Sequence, residues 1–375
     1  MGRLKDKNAS VVDKSYMPYV IYSEDKRYWT VFKDVAAEFE KRQTELVYLT
    51  GSKDDPVFLQ NYKFVKAEFI GEGNSAFARL NMLSAGILLT TTPSLDVFQW
   101  KRSRNVKHYA YILHGTGDAT MMRVFALDYY DSILLTGDYQ AEDIRILENK
   151  RKLPKKELLT VGCTYLDNLA RTATAAQGSG DNRAFTVLVS PSWGADALLT
   201  RFGERLLDPL RDTGWNIIIR PHPQTRISEK DVLERLQKKY KDAPNIQWDF
   251  ESDNLKSMLN ADIMISDFSS IIFDYTFVFN KPVIYVNADM NLEPYDAYDL
   301  HKEIWQFKAL KKFAIELKEE HFADIKKLIE DTRDNEHLAA ERTKAKETAW
   351  MHRMEAGKRT ADFMLKTVSK DQATA

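Results

Sequence analysis

The stretch ADIMISDFSSIIFDY, residues 261–275, decides the fold. Its apolar run DIMIS (262–266) is typical of a buried strand, and SIIFDYTFVFN (270–280) is typical of a helix. The first backbone N–H groups of a helix lack intrahelical partners, and the positive end of the helix dipole lies there. A strand that leads directly into such a helix therefore predicts an anion site, most naturally for phosphate. Ser269 and Ser270 would add hydroxyl donors to it.

A simpler interpretation of the same junction is helix capping. Serine and aspartate are the commonest N-cap residues, so Asp267 and the two serines could serve the helix alone. The two roles are compatible, since one serine can cap while the other binds. Asp274 follows about one and a half turns later, where it could contact a ribose or face away from the site.

The same alternation of strand and helix extends over most of the chain. Apolar runs that predict strands precede the junction at 45–50, 85–92, 108–115 and 131–137, and flank it at 185–193, 215–225, 245–250 and 281–287. Alternating strands and helices predict parallel, doubly wound α/β sheets. The small, polar segment ATAAQGSGDNRA interrupts the alternation and predicts a linker between two domains.

The predicted domains follow from this linker. An N-terminal Rossmann-like domain covers 1–172, the linker 173–184, and a second Rossmann-like domain 185–336. Residues 337–375 form a C-terminal helical segment whose last dozen or so residues are expected to fray. A length of 375 residues supports two domains, because single cores stop growing well below that size.

Composition restricts the class of protein. With 44% hydrophobic and 29% charged residues the chain reads as an ordinary soluble globular protein. The net charge of -1 gives no general attraction to nucleic acid, and we expect none as a partner. A single cysteine, Cys163, excludes an internal disulfide and a cysteine-based zinc site. No apolar run approaches the ~20 residues of a membrane span, and the polar N-terminus predicts a cytoplasmic protein.

Ligands of doubly wound sheets bind beyond the carboxyl ends of the strands, so the residues after each strand matter most. Polar side chains follow the carboxyl ends of four predicted strands, in ILHGTGD (112–118), VSPSW (189–193), IIRPHP (218–223) and ISDFSS (265–270). No metal-ligand spacing such as H-E-x-x-H, no P-loop and no G-x-G-x-x-G fingerprint after a strand occurs. The sequence therefore predicts a cleft site without a dedicated metal or nucleotide motif.

Two histidines stand out at these exits. His222 lies between Pro221 and Pro223, which fix the backbone on both sides, and Arg220 offers a permanent positive fork for phosphate. His114 directly follows a buried strand and can accept a proton from an attacking hydroxyl. The alternative interpretations assign neither residue to a site. His222 would then be an exposed histidine in a turn, and His114 a buried histidine whose hydrogen bonds are satisfied within the protein.

A basic stretch, KRSRNVKHY (101–109), precedes the strand that leads to His114. It is either a solvated loop or a contact for an anionic acceptor or an anionic membrane surface.

Taken together, these motifs resemble the CDP-glycerol glycerophosphotransferase family of wall teichoic acid and capsule synthesis. The resemblance covers roughly residues 45–365. It rests on HGT, RPHP and ISDFSSIIFDY…KPVIYV in this order, with TTPSLDVFQWKRSRNVKHYAYILHG, YYDSILLTGDYQAEDIRILE and VLVSPSWG around them. It implies a GT-B-like architecture, in which two Rossmann-like domains enclose a cleft and the last helix crosses back to the first domain.

The resemblance also implies a reaction and its participants. An alditol phosphate, glycerol or ribitol phosphate, passes from a CDP-activated donor to an acceptor hydroxyl, and CMP leaves. The acceptor is a lipid-linked or polymeric glycan, and a peripheral contact with the inner face of the cell membrane is expected. No cofactor is expected, and the sequence leaves a metal requirement open. His114 and His222 match the family's catalytic histidines. The serines of the family's SS pair match Ser269 and Ser270. The strand ends and the helix after them add Gly115, Thr116, Ser192, Arg220, Asp267 and Asp274 as candidate substrate-binding residues.

The expected mechanism is in-line attack of the acceptor hydroxyl on the β-phosphorus, with His114 as general base. Arg220, His222 and the helix start at Ser269–Ser270 would hold the pyrophosphate. Two other readings stay open. One is a nucleotide-sugar enzyme on the same fold, either a glycosyltransferase or a relative of UDP-N-acetylglucosamine 2-epimerase. The other is a nucleotide-binding subunit without catalytic activity.

Overall fold

The computed structural model describes residues 16–176, 183–251, 253–287 and 290–374. Its contacts divide the chain into two compact units. Unit 1 contains the described residues of Met1–Asn168, Leu292–Lys302 and Ala349–Ala375. Unit 2 contains those of Leu169–Asn291 and Glu303–Thr348.

Unit 1 is built on a seven-stranded parallel sheet of order β3-β2-β1-β4-β5-β6-β7. Its strands are β1 (Met17–Ser23), β2 (Leu46–Thr50), β3 (Val65–Phe69), β4 (Ala85–Thr90), β5 (Val106–Ile112), β6 (Ser132–Leu135) and β7 (Glu157–Thr160). Val20 of β1 pairs with Val47 on one side and with Leu88 on the other, so the strand order reverses at β1. This reversal is the point where such sheets open a binding crevice.

Unit 2 has a six-stranded parallel sheet of order β10-β9-β8-β11-β12-β13. Its strands are β8 (Thr186–Val189), β9 (Asn216–Ile219), β10 (Ile246–Trp248), β11 (Ile263–Ser266), β12 (Val283–Tyr285) and β13 (Ile315–Glu316). The exits of β8 and β11 are neighbours, since Val189 pairs with Ile265. The reversal here falls between β8 and β11, which places the junction at 266–270 beside it.

Helices flank both sheets. The first seven are α1 (Trp29–Lys41), α2 (Asn74–Leu80), α3 (Tyr139–Arg151), α4 (Thr164–Ala176), α5 (Leu198–Phe202), α6 (Glu204–Asp212) and α7 (Thr225–Ser228). The others are α8 (Lys230–Lys239), α9 (Leu255–Asn260), α10 (Ile271–Phe279), α11 (Trp305–Phe313), α12 (Ile325–Arg333), α13 (Glu336–Ala349) and α14 (Ala356–Thr374). Short 3₁₀ helices occupy Lys26–Tyr28, Pro56–Leu59, Ala119–Met121, Asp296–Leu300 and Glu319–Asp324.

The apolar strand runs explain where the cores lie. Every residue of β2, β4, β8 and β11 is buried, as expected for parallel strands covered on both faces. The last helix, α14, contributes to one core of unit 1 by burying Ala361 and Met364. Gly357 allows this, because a Cβ there would lie 2.5 Å from the Cβ of Asp34 in α1. The C-terminal helix thus closes the first sheet, which agrees with the predicted architecture.

Several sequence predictions need correction. The pattern ADALLTRFGERLLDPLRDTG (195–214) predicts one helix, but the structure divides it into α5 and α6 at Gly203, whose φ of 44° no regular helix accommodates. The pattern SEKDVLERLQKKYK (228–241) predicts a helix capped by Ser228, but Ser228 ends α7 and Glu229 holds the cap position of α8. The predicted C-terminal helical segment contains two helices, α13 and α14.

Other differences concern the ends of elements. Helix α14 continues to Thr374, through the segment that the sequence predicts to fray. The strands β1, β3 and β13 were not predicted. The predicted linker 173–184 begins inside α4, and its residues 177–182 lie outside the described part of the chain. Among the residues that the structure describes, no helix combines the length and the hydropathy required to span a bilayer.

Candidate functional site

The junction after β11 has the geometry of an anion site in unit 2. Strand β11 ends at Ser266, and α10 starts at Ile271 with Ser270 as N-cap. The Ser270 side chain makes no capping hydrogen bond, so the simple capping interpretation does not account for it. Ser270 is exposed and Ser269 is half-buried. Their hydroxyls are therefore accessible at the positive end of α10.

Asp267, between the strand and the two serines, faces the protein instead. It is fully buried and accepts hydrogen bonds from the backbone N–H and the hydroxyl of Ser192, both at 2.8 Å, and from the backbone N–H of Leu198 at 3.0 Å. Desolvation raises the pKa of its carboxyl, while these donors oppose the shift. The sequence predicts Asp267 and Ser192 as contacts for substrate. In the structure they bind each other and fasten the loop after β8 to β11.

His222 is exposed in the loop after β9. Its Nδ1 accepts the backbone N–H of Gln224 at 3.1 Å, and its ring lies 6.4 Å from that of Trp193. Desolvation lowers the pKa of His222, against the nearby charges of Asp267 and Glu229. The ring is therefore neutral at pH 7. Because Nδ1 is an acceptor, the proton resides on Nε2, which is free to donate to a ligand.

Arg220 is not the open phosphate fork that the RPHP motif suggested. Its guanidinium donates to Oδ2 of Asp249 at 2.6 Å and to the carbonyl of Glu251 at 2.7 Å, and the ion pair is almost entirely buried. It ties the exit of β9 to that of β10. Any contact of Arg220 with phosphate would be shared with these two acceptors.

A pocket of about 320 Å³ lies in unit 2 beyond β11 and β12. Its wall is largely apolar and aromatic, formed by Phe268, Tyr285, Phe307 and Leu310. Glu303 and Lys311, which form an ion pair, also line it. Part of this wall is one side of α11, a helix that sequence analysis did not predict. The amphipathic pattern WQFKALKKF was the signal that could have revealed it.

In unit 1, His114 follows β5 and remains exposed to solvent. Its Nδ1 lies 2.7 Å from Oγ1 of Thr91, which follows the neighbouring strand β4. The ring also contacts that of Tyr28, with 5.3 Å between the centroids. Desolvation by the surrounding protein lowers the pKa of His114, so the imidazole is neutral at pH 7. Neither Thr91 nor Tyr28 was recognised from the sequence.

The Thr91 contact bears on which nitrogen of His114 can act as a base. The Tyr111 hydroxyl donates to the sulfur of Met122 at 3.2 Å, and burial raises the pKa of Tyr111. At 2.7 Å the Thr91 hydroxyl either accepts the Nδ1–H of His114 or donates to an unprotonated Nδ1. In the first arrangement Nε2 of the neutral ring carries no proton, as a general base requires.

The other two residues of the HGT motif differ: Thr116 has a structural role, and Gly115 borders open space. The carbonyl of Thr116 accepts the hydroxyl of Tyr139 at 2.7 Å, and the Thr116 side chain is buried. A Cβ at Gly115 would meet no atom within 4 Å, so no protein contact requires a glycine there. Asp274 is half-buried on α10.

The predicted residues therefore form two groups, one in each unit. At the carboxyl edge of the unit 2 sheet lie Ser192, His222, Asp267, Ser269 and Ser270. At that of unit 1 lies the HGT segment after β5. Within the described ranges, no three His, Cys, Asp or Glu side chains are placed to hold a metal ion.

Comparison with known proteins gives the site a context. The sequence pattern of the family described as CDP-glycerol:poly(glycerophosphate) glycerophosphotransferase matches residues 139–349, more than half of the chain. This region contains RPHP and the whole junction after β11. A sequence search of curated proteins finds no significant match.

Solved structures resemble the chain over nearly its full length. The wall teichoic acid polymerase TagF superposes with a TM-score of 0.60 at 15% identity, covering 94% of this chain and 90% of that one. The UDP-GlcNAc 2-epimerase of Methanocaldococcus jannaschii gives 0.58 at 12% identity, covering 93% and 100%. MurG of Acinetobacter baumannii gives 0.51 at 11% identity, with the same coverages. These likenesses confirm the predicted GT-B-like α/β fold.

Proposed function

The chain belongs to the CDP-glycerol:poly(glycerophosphate) glycerophosphotransferase family, and from this premise we propose that it transfers glycerol phosphate from CDP-glycerol to a hydroxyl of a teichoic-acid-like or capsular polymer, releasing CMP. The family membership makes the protein a transferase with a CDP-glycerol donor and a polymer acceptor. The observation that carries the proposal is the start of α10, where two accessible serine hydroxyls stand at an uncapped helix end inside the matched region.

We assign donor binding to unit 2. The pyrophosphate is held by the first N–H groups of α10 and by Ser269 and Ser270, because helix ends and hydroxyls donate to anionic oxygens. Nε2–H of His222 adds a neutral donor. The aromatic pocket beside Phe268 accepts the nucleoside, since its lining combines aromatic and aliphatic side chains with a few polar groups. Asp267 and Ser192 act indirectly by fixing the loop after β8.

The chemical step needs a base and a stabilised leaving group. The acceptor oxygen forms a bond to the β-phosphorus as the bond to the bridging pyrophosphate oxygen breaks, and CMP departs with that oxygen. Nε2 of His114 takes the acceptor proton, with the ring's own proton on Nδ1 and donated to the Thr91 hydroxyl. Phosphoryl transfer depends mostly on positioning and on neutralised charge, which the helix start supplies.

The acceptor is proposed to be lipid-linked, which requires a membrane contact. Two apolar side chains of unit 1, Met82 and Phe98, are 67% and 63% exposed. Nearby in the sequence are the exposed cations Lys101, Arg104 and Lys107. Apolar residues among cations suit an anionic bilayer surface.

The loops carrying this surface are joined by Asn81, whose amide donates to the Gln99 carbonyl and accepts the Lys101 N–H. Arg102 does not take part, since it is bound to Asp131. Replacing Met82 and Phe98 by serine should reduce binding to phosphatidylglycerol vesicles. The same change at Leu59, also exposed in unit 1, should not.

A donor panel tests the proposed function. The purified protein is incubated with a polymer acceptor and with CDP-glycerol, CDP-ribitol or UDP-N-acetylglucosamine, and released CMP and UDP are quantified. CMP release from CDP-glycerol with glycerol phosphate added to the acceptor is expected. Release of UDP instead would assign the nucleotide-sugar function. Binding of CDP-glycerol without turnover would assign a non-catalytic subunit.

A further inference from the structure

A second, larger pocket lies in unit 1, outside every motif of the sequence analysis. Its volume is about 560 Å³, and it opens beyond the carboxyl ends of β1 and β2. Its lining is almost wholly polar: Glu24, Asp25, Arg27, Tyr28, Gly51, Ser52, Lys53, Asp54, Glu72 and Gly73. We call it the β1–β2 pocket.

The β1–β2 pocket adjoins the proposed base through one side chain. Tyr28 lines the pocket and also contacts the ring of His114, at 5.3 Å between centroids. Burial and then the charge of Glu24 raise the pKa of Tyr28, which places the Glu24 carboxylate within electrostatic range of this ring. A molecule bound in the pocket against Tyr28 can therefore extend toward His114.

The floor of the pocket depends on a close approach of two loops. The N–H of Gly51 donates to the carbonyl of Ser23 at 2.9 Å, and a Cβ at Gly51 would lie 2.3 Å from the carbonyl oxygen of Glu24. Only glycine allows these loops to meet. The shape of the pocket floor is therefore determined by the backbone contact between these two loops.

The charges of the lining indicate what the pocket binds. Four of its side chains are carboxylates and two are cations. Arg27 is paired with Asp25, and Asp54 is paired with Lys26, which lies outside the lining. The remaining lining charges are those of Glu24, Glu72 and Lys53, a formal charge of -1 (2 minus 1). Glu24 and Glu72 form no hydrogen bond or ion pair through their side chains among the described residues, and both are exposed. Free carboxylates accept hydroxyl donors and repel phosphate.

We propose that the β1–β2 pocket binds an uncharged, hydroxyl-rich unit of the acceptor, a polyol or a sugar, and directs its reactive hydroxyl past Tyr28 to His114. Glu24 and Glu72 receive the ligand's hydroxyl protons, and the Tyr28 ring provides a flat surface for its C–H groups. This inference rests on the proposed function. It excludes a phosphate group of the acceptor from the pocket.

The first test measures whether the variants change the acceptor KM while leaving kcat and the CDP-glycerol Kd unchanged. Glu24→Ala and Glu72→Ala should each raise the acceptor KM about tenfold, since each removes a hydrogen bond to a charged group. The kcat and the CDP-glycerol Kd should not change, because neither residue touches the donor or the base. Glu45→Gln is the control: it lies next to the amino end of β2, paired with Lys66, away from the pocket. An unchanged acceptor KM in both variants overturns the proposal.

The second test needs no turnover. Saturation-transfer NMR with glycerol, with methyl β-glucoside and with glycerol 3-phosphate measures binding to the wild-type protein and to Glu24→Ala. Signals from the two neutral ligands, lost in the variant, support the pocket assignment. Stronger binding of glycerol 3-phosphate overturns it. If the wild-type protein releases no CMP from CDP-glycerol yet binds the neutral ligands at Glu24, the proposed function fails while the pocket assignment stands.

Discussion

Oγ1 of Thr91 lies 2.7 Å from Nδ1 of His114, although 23 positions separate the two residues in the sequence. They meet because β4 and β5 are adjacent parallel strands, with Thr90 level with Tyr111, and both residues follow their strand ends. A hydroxyl placed on one ring nitrogen decides what the other nitrogen can do. The relationship therefore determines whether His114 can accept a proton.

Removing the Thr91 hydroxyl should impair catalysis through His114. In Thr91→Val the ring loses an acceptor for Nδ1–H, which costs about 1 kcal/mol and so about fivefold in kcat/KM. The imidazolium is stabilised by this bond more than the neutral ring, so the acid limb of the pH–rate profile should move to lower pH. Thr91→Ser should restore both. A Val variant with an unshifted profile would leave Thr91 with a packing role only.

His114 itself should control turnover and its pH dependence. His114→Ala should lower kcat by about 10²–10⁴-fold, the usual contribution of a general base, with CDP-glycerol affinity retained. Desolvation lowers the pKa of His114. Activity should therefore persist as the pH falls to the ordinary histidine value of about 6.5 and be lost only below it. His337→Ala, on the exposed side of α13, is the matched control. Comparable activity in both variants would exclude His114 as the base.

The start of α10 should set donor affinity. The double variant Ser269→Ala/Ser270→Ala removes two hydroxyl donors to charged oxygens, each contributing about 1.5–3 kcal/mol, so CDP-glycerol affinity should fall by at least about a hundredfold. Isothermal titration calorimetry measures it. Ser228→Ala, at an exposed helix end in the same unit, should bind normally. Unchanged affinity of the double variant would remove the phosphate-site assignment.

Asp267 should be required for stability more than for contact with substrate. Asp267→Ala leaves three buried donors without an acceptor, those of Ser192 and the N–H of Leu198. At about 1–3 kcal/mol for each, the free energy of unfolding should fall by roughly 3 kcal/mol or more. Urea denaturation of the variant measures the change. A variant as stable as the wild type that fails to bind donor would instead indicate direct contact with substrate.

Arg151 should hold residues 292–302 in unit 1. Its guanidinium binds Asp128, Asp296 and Asp299 at 2.6–2.8 Å and is 9% exposed. Arg151→Met leaves the buried carboxylates of Asp128 and Asp296 without a counter-charge, at a cost of about 3–5 kcal/mol. Its neighbour Lys150 binds Asp299 at the surface, so Lys150→Met should cost less than about 1 kcal/mol. Similar denaturation midpoints for the two variants would contradict this role.

The fold was largely predictable because its main features are local. Buried parallel strands appear as short apolar runs, and predictions such as those at 45–50 and 262–266 correspond to β2 and β11. The start of α10 could also be located, since a strand directly followed by a polar turn and a helical pattern leaves little choice. Strand β13 could not be predicted, because a strand of two residues is too short to show a hydrophobic periodicity.

The candidate site was predictable only in part. The histidines could be found because they follow strands, and strand ends are visible in the sequence. The roles of their neighbours could not. From the sequence, the Arg220 guanidinium is a candidate phosphate ligand, but in the structure it is paired with Asp249. The aromatic pocket of unit 2 was missed with α11, and the β1–β2 pocket was missed with β1.

The sequence by itself determined the alternation of strands and helices, the family and the positions of His114, His222, Ser269 and Ser270, because each depends on residues close together in the chain. Only the tertiary structure decided which of the polar residues are free to bind ligands. A hydrogen bond such as Ser192 to Asp267 spans 75 positions and exists because β8 and β11 are adjacent in the sheet. Hydrophobic periodicity specifies that a strand is buried but carries no information about which strand lies beside it.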